Sequence, residues 1–348
     1  MNLSDDNHHR QFVDNEVTRC RRRVIVITSL ICVIVGQCTA ILLGRFHYSQ
    51  GGNSKWLAST VTTAGFPALL LPRIFVTSGG SLVCHKKVLL VYFALGALMA
   101  VDNVLYSTSL LFLSASTFSI ICASQLAFTA FLSYFINSQK LTFPILTSVV
   151  LLTLSASLIG VDKDNDKPAG TSKTHYIMGI LCAIAASAIY ALIVSLTQAL
   201  FQKVIKKETL IVVLETQIWT SLVATCVEVI GLVGSGEWTT LGVEMARFRQ
   251  GSSVYVITLV FTALSCQLSS VGTLGMIFTV SSLFSNVVST VALAVLPIAA
   301  VVAFKEKMGG ATAISMLLAV YGFICYVYQT YVDDRETRNR PTRAVDTN

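Results

Sequence analysis

The chain has 348 residues, of which 54% are hydrophobic and only 12% are charged, and its formal net charge is +7. Soluble domains carry about 25% charged residues, so this composition excludes an ordinary soluble globular protein. The basic residues lie in the tails and at the ends of apolar segments rather than in one patch. We therefore read them as orientation signals and expect no nucleic-acid partner.

Ten apolar stretches of roughly bilayer-spanning length follow one another along the chain. Lipid offers no partners for backbone polar groups, so each stretch is expected to be a helix. The sequence thus predicts an all-α integral membrane protein, with one domain over 24–332, a disordered tail over 1–23 and a C-terminal tail over 333–348. The predicted spans are 24–44, 56–75, 88–110, 112–136, 143–161, 176–200, 209–232, 253–276, 278–303 and 311–331.

The distribution of Lys and Arg predicts that both termini are cytosolic. With the N-terminus inside, 16 of the 25 basic residues fall in cytosolic tails and loops. An excess of basic residues marks the cytosolic side of membrane proteins. An even number of spans then returns the C-terminus to the same side.

Similar residues recur in the fourth and ninth spans. Ser116 and Thr117 open the fourth span as Ser281 and Ser282 open the ninth, at an offset of about half the chain. This predicts two inverted five-helix repeats, an arrangement that places transport sites near the midplane of the membrane. Chance similarity between two apolar helices is the alternative.

Two spans carry carboxylates well inside the apolar run, and no span carries a buried Lys or Arg. Asp102 lies in the third span and Glu215 in the seventh. A charged group in hydrocarbon is costly, so it usually faces a bundle interior or a water-filled path. The pattern favours a path for protons or for neutral to cationic solutes. Glu228 is assigned to the outer membrane interface.

Polar side chains accompany both acids. Asp102, Asn103 and Tyr106 form one predicted patch on the third span, and Glu215, Gln217 and Trp219 lie on the seventh. Amides recognise the edge of a heterocycle and aromatic rings its face. Helix anchoring for Asp102 and snorkelling for Glu215 are the structural alternatives. Further binding candidates are Thr117, Gln125, Gln267 and Asn286, for which bonding between helices is the alternative.

Helix breakers interrupt two spans. Gly65-Phe66-Pro67 is expected to break or kink the second span and free carbonyls near its middle, and Pro297 to act similarly in the ninth. Gly65, Pro67 and Pro297 are therefore hinge candidates, because broken helices often border transport sites. A kinked packing helix is the alternative.

The nine cysteines and five histidines suggest no metal site. Most of the cysteines lie inside apolar segments, where a thiol behaves as a small hydrophobe. No spacing is typical of a metal centre or a disulfide framework, and no histidine falls in a span. We expect no metal and no cofactor.

A set of short motifs makes the chain resemble the plant purine permeases, a branch of the drug/metabolite transporter superfamily. The resemblance extends from about residue 23 to 334. It rests on Gly52–Trp56, Ala64–Pro67, Asp102–Ser107, Ala123–Phe128, Phe135–Lys140, Ser221–Thr225, Ser281–Asn286 and Tyr326–Gln329.

The resemblance implies ten spans, cytosolic termini and proton-coupled uptake of purine bases and relatives such as adenine, cytokinins and alkaloids. It also implies the plasma membrane as the location, with an internal membrane as the alternative. The sequence departs from the family pattern at Thr62, Ser114-Ala115, Thr129 and Cys266. These departures leave the preferred substrate open.

The residues and the resemblance together predict a proton-coupled secondary transporter that works by alternating access. Its partners are a purine-like molecule, protons and the lipid bilayer; no oligomeric state follows. The hypothesis is that a proton binds Glu215 or Asp102 and permits the loaded carrier to switch its opening. The alternatives are a carrier of another heterocycle or metabolite (a nucleoside, vitamin, alkaloid or organic cation) and a non-transporting membrane receptor. No nucleophile–base pair in the spans favours an enzyme.

Overall fold

The structure, a computed structural model, describes residues 3–75, 86–113, 115–139, 142–161, 173–205, 210–292 and 310–339. All regular secondary structure in these ranges is helical, which confirms the predicted all-α class. The helices are α1 (Leu3–Ser49), α2 (Lys55–Ala64), α3 (Leu70–Phe75), α4 (Lys86–Phe112), α5 (Ala115–Asn137), α6 (Phe143–Val161), α7 (Lys173–Ala199), α8 (Leu210–Gly234), α9 (Leu241–Arg247), α10 (Ser252–Thr279), α11 (Ser282–Ala292) and α12 (Gly310–Asn339).

Five of the described helices are long and apolar enough to cross a membrane. These segments are Cys20–Tyr48, Val88–Ser109, Thr174–Ile205, Ile211–Gly234 and Ser252–Thr279. Shorter apolar helices cover Phe143–Ser155, Ser282–Ala292 and Met316–Gln329. The described helices agree with a membrane protein, while the count of ten spans stays a prediction.

Large apolar side chains cover the outside of the bundle. Leu90 is 69% exposed, Leu181 62%, Ile230 71% and Leu317 72%. Water-facing surfaces of monomeric proteins rarely expose apolar patches of this extent. An exterior of this kind suits a hydrocarbon environment.

Two helices extend into segments that the sequence assigned to tails. α1 begins at Leu3, although 1–23 was predicted to be disordered, and α12 continues to Asn339, beyond the predicted boundary at 332. The stretch from Leu3 to Arg23 contains neither Gly nor Pro. Nothing in its sequence therefore stops a helix already nucleated by the apolar part of α1 from continuing.

The second predicted span is broken where the sequence predicted a break or a kink. α2 ends at Ala64, a 3-10 turn covers Phe66–Leu69, and α3 begins at Leu70. Pro67 has no N–H for the helical hydrogen bond, and its ring clashes with the preceding turn. The span thus consists of two short helices joined at its middle.

Small residues bring α1 and α10 into close contact. A methyl group added at Gly36 would lie 2.6 Å from the backbone nitrogen of Ser269, and one at Gly272 would lie 2.7 Å from the carbonyl oxygen of Ser29. Such approaches are possible only where side chains are absent, which is a common packing mode between helices in membranes.

A polar cluster joins the end of α1 to α9 and the start of α2. The amide of Ser54 donates to Glu244 at 3.2 Å, Tyr255 donates to it at 3.2 Å, and His47 Nε2 lies 3.5 Å from Oε1 of Glu244. Glu237 accepts from the Ser54 hydroxyl at 2.7 Å. The residues His47, Ser54, Glu237, Glu244 and Tyr255 form what we call the capping cluster.

Candidate functional site

One face of α8 is polar over most of its length. Gln217, Ser221, Thr225 and Glu228 recur at i, i+4, i+8 and i+11, a spacing that places them on one side of a helix. Gln217 and Glu228 are 1% and 0% exposed. This face meets α2, α4 and α10. With the residues that it contacts, it forms the central polar network, defined as Thr63, Asn103, Gln217, Ser221, Thr225, Glu228 and Gln267.

Glu228 is fully buried within the central polar network, whereas the sequence assigned it to the outer membrane interface, where its side chain would be exposed. Thr63 donates a hydrogen bond to its Oε2, and the Asn103 amide nitrogen donates to its Oε1 at 2.9 Å. The assignment failed because the two donors come from other helices. The spacing from Gln217 through Ser221 to Glu228 was the available signal, since it places the acid on a buried polar face.

Thr63 links the Glu228 carboxylate to hydroxyl and carbonyl groups on α8 and α2. Its hydroxyl lies 2.9 Å from the hydroxyl of Thr225 and 3.3 Å from the carbonyl of Thr60. A hydroxyl both donates and accepts. Thr63 can therefore donate to an ionised Glu228 or accept from a protonated one.

Gln267 from α10 occupies the gap left by the break in the second span. Its amide nitrogen donates to the carbonyl of Thr63 at 2.9 Å and contacts that of Thr62 at 3.3 Å. In an unbroken helix the N–H of residue 67 would donate to the carbonyl of Thr63, four residues earlier. Pro67 has no N–H and cannot make this hydrogen bond. The side-chain oxygen of Gln267 accepts from Gln217 at 3.0 Å. Gln267 is thus largely engaged in stabilising the broken helix.

Asn103 is half-buried, whereas most members of the central polar network are buried. The Ser59 hydroxyl on α2 lies 3.1 Å from the backbone carbonyl of Asn103 and 3.1 Å from the hydroxyl of Ser107, and these contacts fix α4 against α2. Glu228 takes one of the two N–H groups of the Asn103 amide, so the carbonyl oxygen and the second N–H are left to meet a ligand.

The structure separates Asp102 from Asn103. Asp102 is buried near Tyr106, Cys122 and Tyr190, on the side of α4 towards α5 and α7. Its Oδ1 has no hydrogen-bond partner among the described residues. The predicted single patch of Asp102, Asn103 and Tyr106 is therefore divided between two sides of α4.

Glu215 is paired with a base. Arg73 on α3 donates to its Oε1 at 2.7 Å, and the Glu215 and Arg73 side chains are 6% and 25% exposed. Trp219, one turn further on, packs against the apolar cluster that includes Tyr92 and Leu95. The sequence placed Arg73 at the cytosolic end of the second span and did not foresee the pair, because the two residues are far apart in the chain.

Gln125 and Asn286 bond to each other across α5 and α11. Gln125 donates to the Asn286 side-chain oxygen at 3.1 Å, and Asn286 donates to the Thr129 hydroxyl at 2.7 Å. These contacts join the two helices in which the sequence predicted related repeats. The side chain of Thr117, and the whole of Pro297, lie outside the described residues.

Apolar helices that enclose a buried carboxylate and several buried amides have the arrangement of a membrane transporter. A family profile described as purine nucleobase transmembrane transport matches residues 24–336. The chain belongs to this family of transporters, the purine permeases, and is not an enzyme.

Several relatives from Arabidopsis thaliana cover most of the chain. The protein named probable purine permease 11 is 52% identical over 92% of this chain and 86% of its own length. Probable purine permease 13 is 48% identical over 95% of this chain and 93% of its own length. A solved crystal structure matches in fold alone, with a TM-score of 0.58 at 14% identity, over 88% of this chain and 99% of that one.

Proposed function

We propose that this protein is a proton-coupled importer of purine bases or their derivatives, such as adenine or cytokinins, and works by alternating access. The observation that carries the proposal is the central polar network, in which an ionisable Glu228 holds the half-buried Asn103. Membership of a family that transports purine nucleobases supports the substrate class.

The polar groups of the bundle suit a flat, uncharged heterocycle. Asn103 offers an acceptor to a ring edge. Tyr106 and Trp219, the aromatic candidates from the sequence, pack against separate apolar clusters of the bundle. Arg73 is paired with Glu215, so its positive charge is neutralised and it does not offer a free cation to a phosphate group. The further binding candidates from the sequence are Thr117, Gln125, Gln217, Gln267 and Asn286.

The break in the second span supports alternating access. Gly65 and Pro67 separate α2, which carries Thr63, from α3, which carries Arg73. The two halves can therefore change their angle without breaking helical hydrogen bonds of their own. We assign the hinge to Gly65 and Pro67, with Pro297 as a second candidate in the ninth span.

Proton coupling requires a carboxylate that binds and releases a proton during the cycle. The sequence offers Asp102 and Glu215, and the structure adds Glu228 as a third buried acid within the predicted spans. With ten spans and cytosolic termini, Glu228 lies in the outer half of the membrane and Glu215 in the inner half. We place the protein in the plasma membrane, where an acidic exterior drives import.

Uptake of labelled adenine into yeast that lacks its own purine transport tests the proposal. We expect saturable uptake that is several-fold faster at about pH 5 than at about pH 8 and is abolished by a protonophore, because protons must move inward with the substrate. Uptake that is insensitive to both treatments contradicts proton coupling.

Competition by unlabelled compounds separates the substrate classes. Inhibition by purine bases and cytokinins supports the proposal. Inhibition only by nucleosides, alkaloids or organic cations would instead identify a carrier of another small molecule. No uptake, with the protein shown at the cell surface, contradicts adenine as a substrate.

A further inference from the structure

The geometry points to Glu228 as the residue that binds the coupling proton and that positions Asn103 for the substrate. This inference rests on the proposed function and assigns its proton to one carboxyl group. It is built on the contacts of three buried acids, Asp102, Glu215 and Glu228, and on the hydrogen bonds that each would have in its ionised and neutral forms.

Glu228 is supplied with partners in both forms. When it is ionised, Thr63 and Asn103 donate to its two oxygens. When a proton binds Oε2, that oxygen donates to Thr63, whose own hydrogen turns to the Thr60 carbonyl 3.3 Å away. Oε1 continues to accept from Asn103. A buried polar group that keeps its hydrogen bonds in both forms can alternate between them without leaving an unpaired atom.

The other two acids lack this property. Glu215 is held by Arg73 at 2.7 Å, so protonating it would leave a partly buried guanidinium without its counter-charge. Asp102 has an oxygen without a hydrogen-bond partner among the described residues, so its ionised form is not stabilised there. Glu215 is therefore suited to staying charged, and Asp102 to staying neutral.

No charged side chain in the described part of the structure forms a hydrogen bond or an ion pair with Glu228. Arg73 is bonded to Glu215, Glu237 to Ser54, Tyr92 to Thr216 and Tyr255 to Glu244. Among the described residues, none of the groups on neighbouring helices pairs with Glu228. The titratable residues described on α8 and on the elements packed against it are Lys55, Arg73, Tyr92, Asp102, Tyr106, Glu215, Cys226, Glu237, Tyr255 and Cys266.

Asn103 connects the proton to the substrate. Its amide nitrogen is bound to Glu228, and its position is therefore sensitive to the charge of that carboxyl group. A hydrogen bond to a carboxylate is stronger than one to a neutral acid. Proton binding at Glu228 thus loosens Asn103, and a ligand held by Asn103 in turn changes the proton affinity of Glu228.

The substitution Glu228→Gln tests the role because it imitates the protonated acid. The new amide accepts from Asn103 through its oxygen and donates to Thr63 through its nitrogen, so the network stays satisfied. We expect net uptake at about pH 5 to fall about tenfold or more and to become independent of pH. Exchange of labelled for unlabelled substrate in reconstituted vesicles should continue, since it needs no net proton movement.

Glu237→Gln is the matched control. It makes the same change in the capping cluster and should keep acid-stimulated, protonophore-sensitive uptake. Asp102→Asn and Glu215→Gln should also keep the ratio of uptake at the two pH values. A variant Glu228→Gln that retains this ratio overturns the inference, as does loss of the ratio in Asp102→Asn alone.

Glu228→Asp decides the question if Glu228→Gln does not reach the membrane. It keeps a carboxyl group but moves it by one methylene, so coupling should survive with a shifted pH profile. An unchanged profile overturns the inference. Absence of proton-coupled uptake by the unsubstituted protein contradicts the proposed function itself, whereas retained coupling in Glu228→Gln contradicts only the role of Glu228.

Discussion

At the scale of single residues, the Arg73–Glu215 pair illustrates how a buried charge is accommodated near one end of the bundle. The Glu215 side chain is almost fully buried and that of Arg73 is one-quarter exposed. Removing one partner leaves the other poorly solvated, whereas removing both does not. The pair therefore constrains the position of α3 relative to α8.

A double-substitution cycle tests this constraint. We expect Arg73→Gln and Glu215→Gln each to lower thermal stability, and the double variant to lose less than the sum, with a coupling energy of about 1 kcal/mol. Thermal unfolding of the purified protein in detergent measures all three variants. Strictly additive losses would show that the pair contributes no coupling.

The sequence identified several of the buried amides but not their partners. Asn103, Gln217 and Gln267 were found as amides in apolar runs, and the structure brings them into one network. Glu228 was misplaced because its neighbours come from α2 and α4, and pairing between helices is not encoded by spacing along one helix. Periodicity gives the face of a helix, but not what that face meets.

At the scale of helices, close packing of α1 against α10 depends on positions without side chains. An alanine at Gly36 would place its methyl group 2.6 Å from the Ser269 backbone, which cannot yield as a flexible side chain can. We expect Gly36→Ala to destabilise the protein by about 1–3 kcal/mol, as overpacking does.

Gly44→Ala is the control for that substitution on the same helix. A methyl group there meets nothing within 4 Å, so stability should stay the same or rise slightly with the better helix former. Melting temperatures of the two variants in the same detergent make the comparison. Equal losses would mean that the contact with α10 is not the cause.

The capping cluster predicts a dependence of stability on pH. Burial alone would raise the pKa of Glu244, but the nearby His47 side chain and hydrogen bonds from the backbone at Asn53–Ser54 and from Tyr255 outweigh it, so the pKa lies below its ordinary value. A lowered pKa in the folded state stabilises the fold above the unfolded-state pKa. This contribution is lost as the pH falls through the folded-state pKa.

Glu244→Gln should remove that contribution. The difference in melting temperature between the unsubstituted protein and Glu244→Gln is expected to be largest near neutral pH and to shrink as the pH falls below about 4. Thermal unfolding over a pH series measures it. A difference that stays constant across the series would assign the stabilisation to packing rather than to the carboxylate.

Boundaries of helices followed from the sequence where an apolar run or a breaker marks them. The end of α2 before Gly65-Phe66-Pro67 was foreseen, since proline has a local steric effect. The extension of α1 back to Leu3 was not, because a polar stretch without breakers is compatible with either helix or disorder. A helix break at a proline can therefore be predicted from the sequence more reliably than the end of a helix that has no breaker.

At the scale of the whole molecule, the placement of basic residues predicts the orientation in the membrane. Ser235 lies in the connection after α8 and is expected outside. Gln202 lies in the π-helical segment Leu200–Ile205 that continues α7 and is expected at its cytosolic end. Both residues are exposed in the structure. They therefore serve as a matched pair of reporter positions beyond the two ends of α8.

Cysteine labelling determines this orientation. A membrane-impermeant maleimide should label Ser235→Cys in intact cells and Gln202→Cys only after permeabilisation, with the unsubstituted protein as background. The reverse pattern would place the termini outside and would move Glu228 to the cytosolic half of the membrane.

The hydrogen bond from Gln267 to the Thr63 carbonyl has a consequence for the turnover rate of the transporter. Within the broken span, this side chain from another helix takes the place of the backbone donor that Pro67 lacks. The stiffness of the span is thereby set by a residue that is remote in sequence and nearly inaccessible to solvent. We expect changes at position 267 to alter the turnover rate more than the apparent affinity, so that a fast and a slow carrier can share one binding surface.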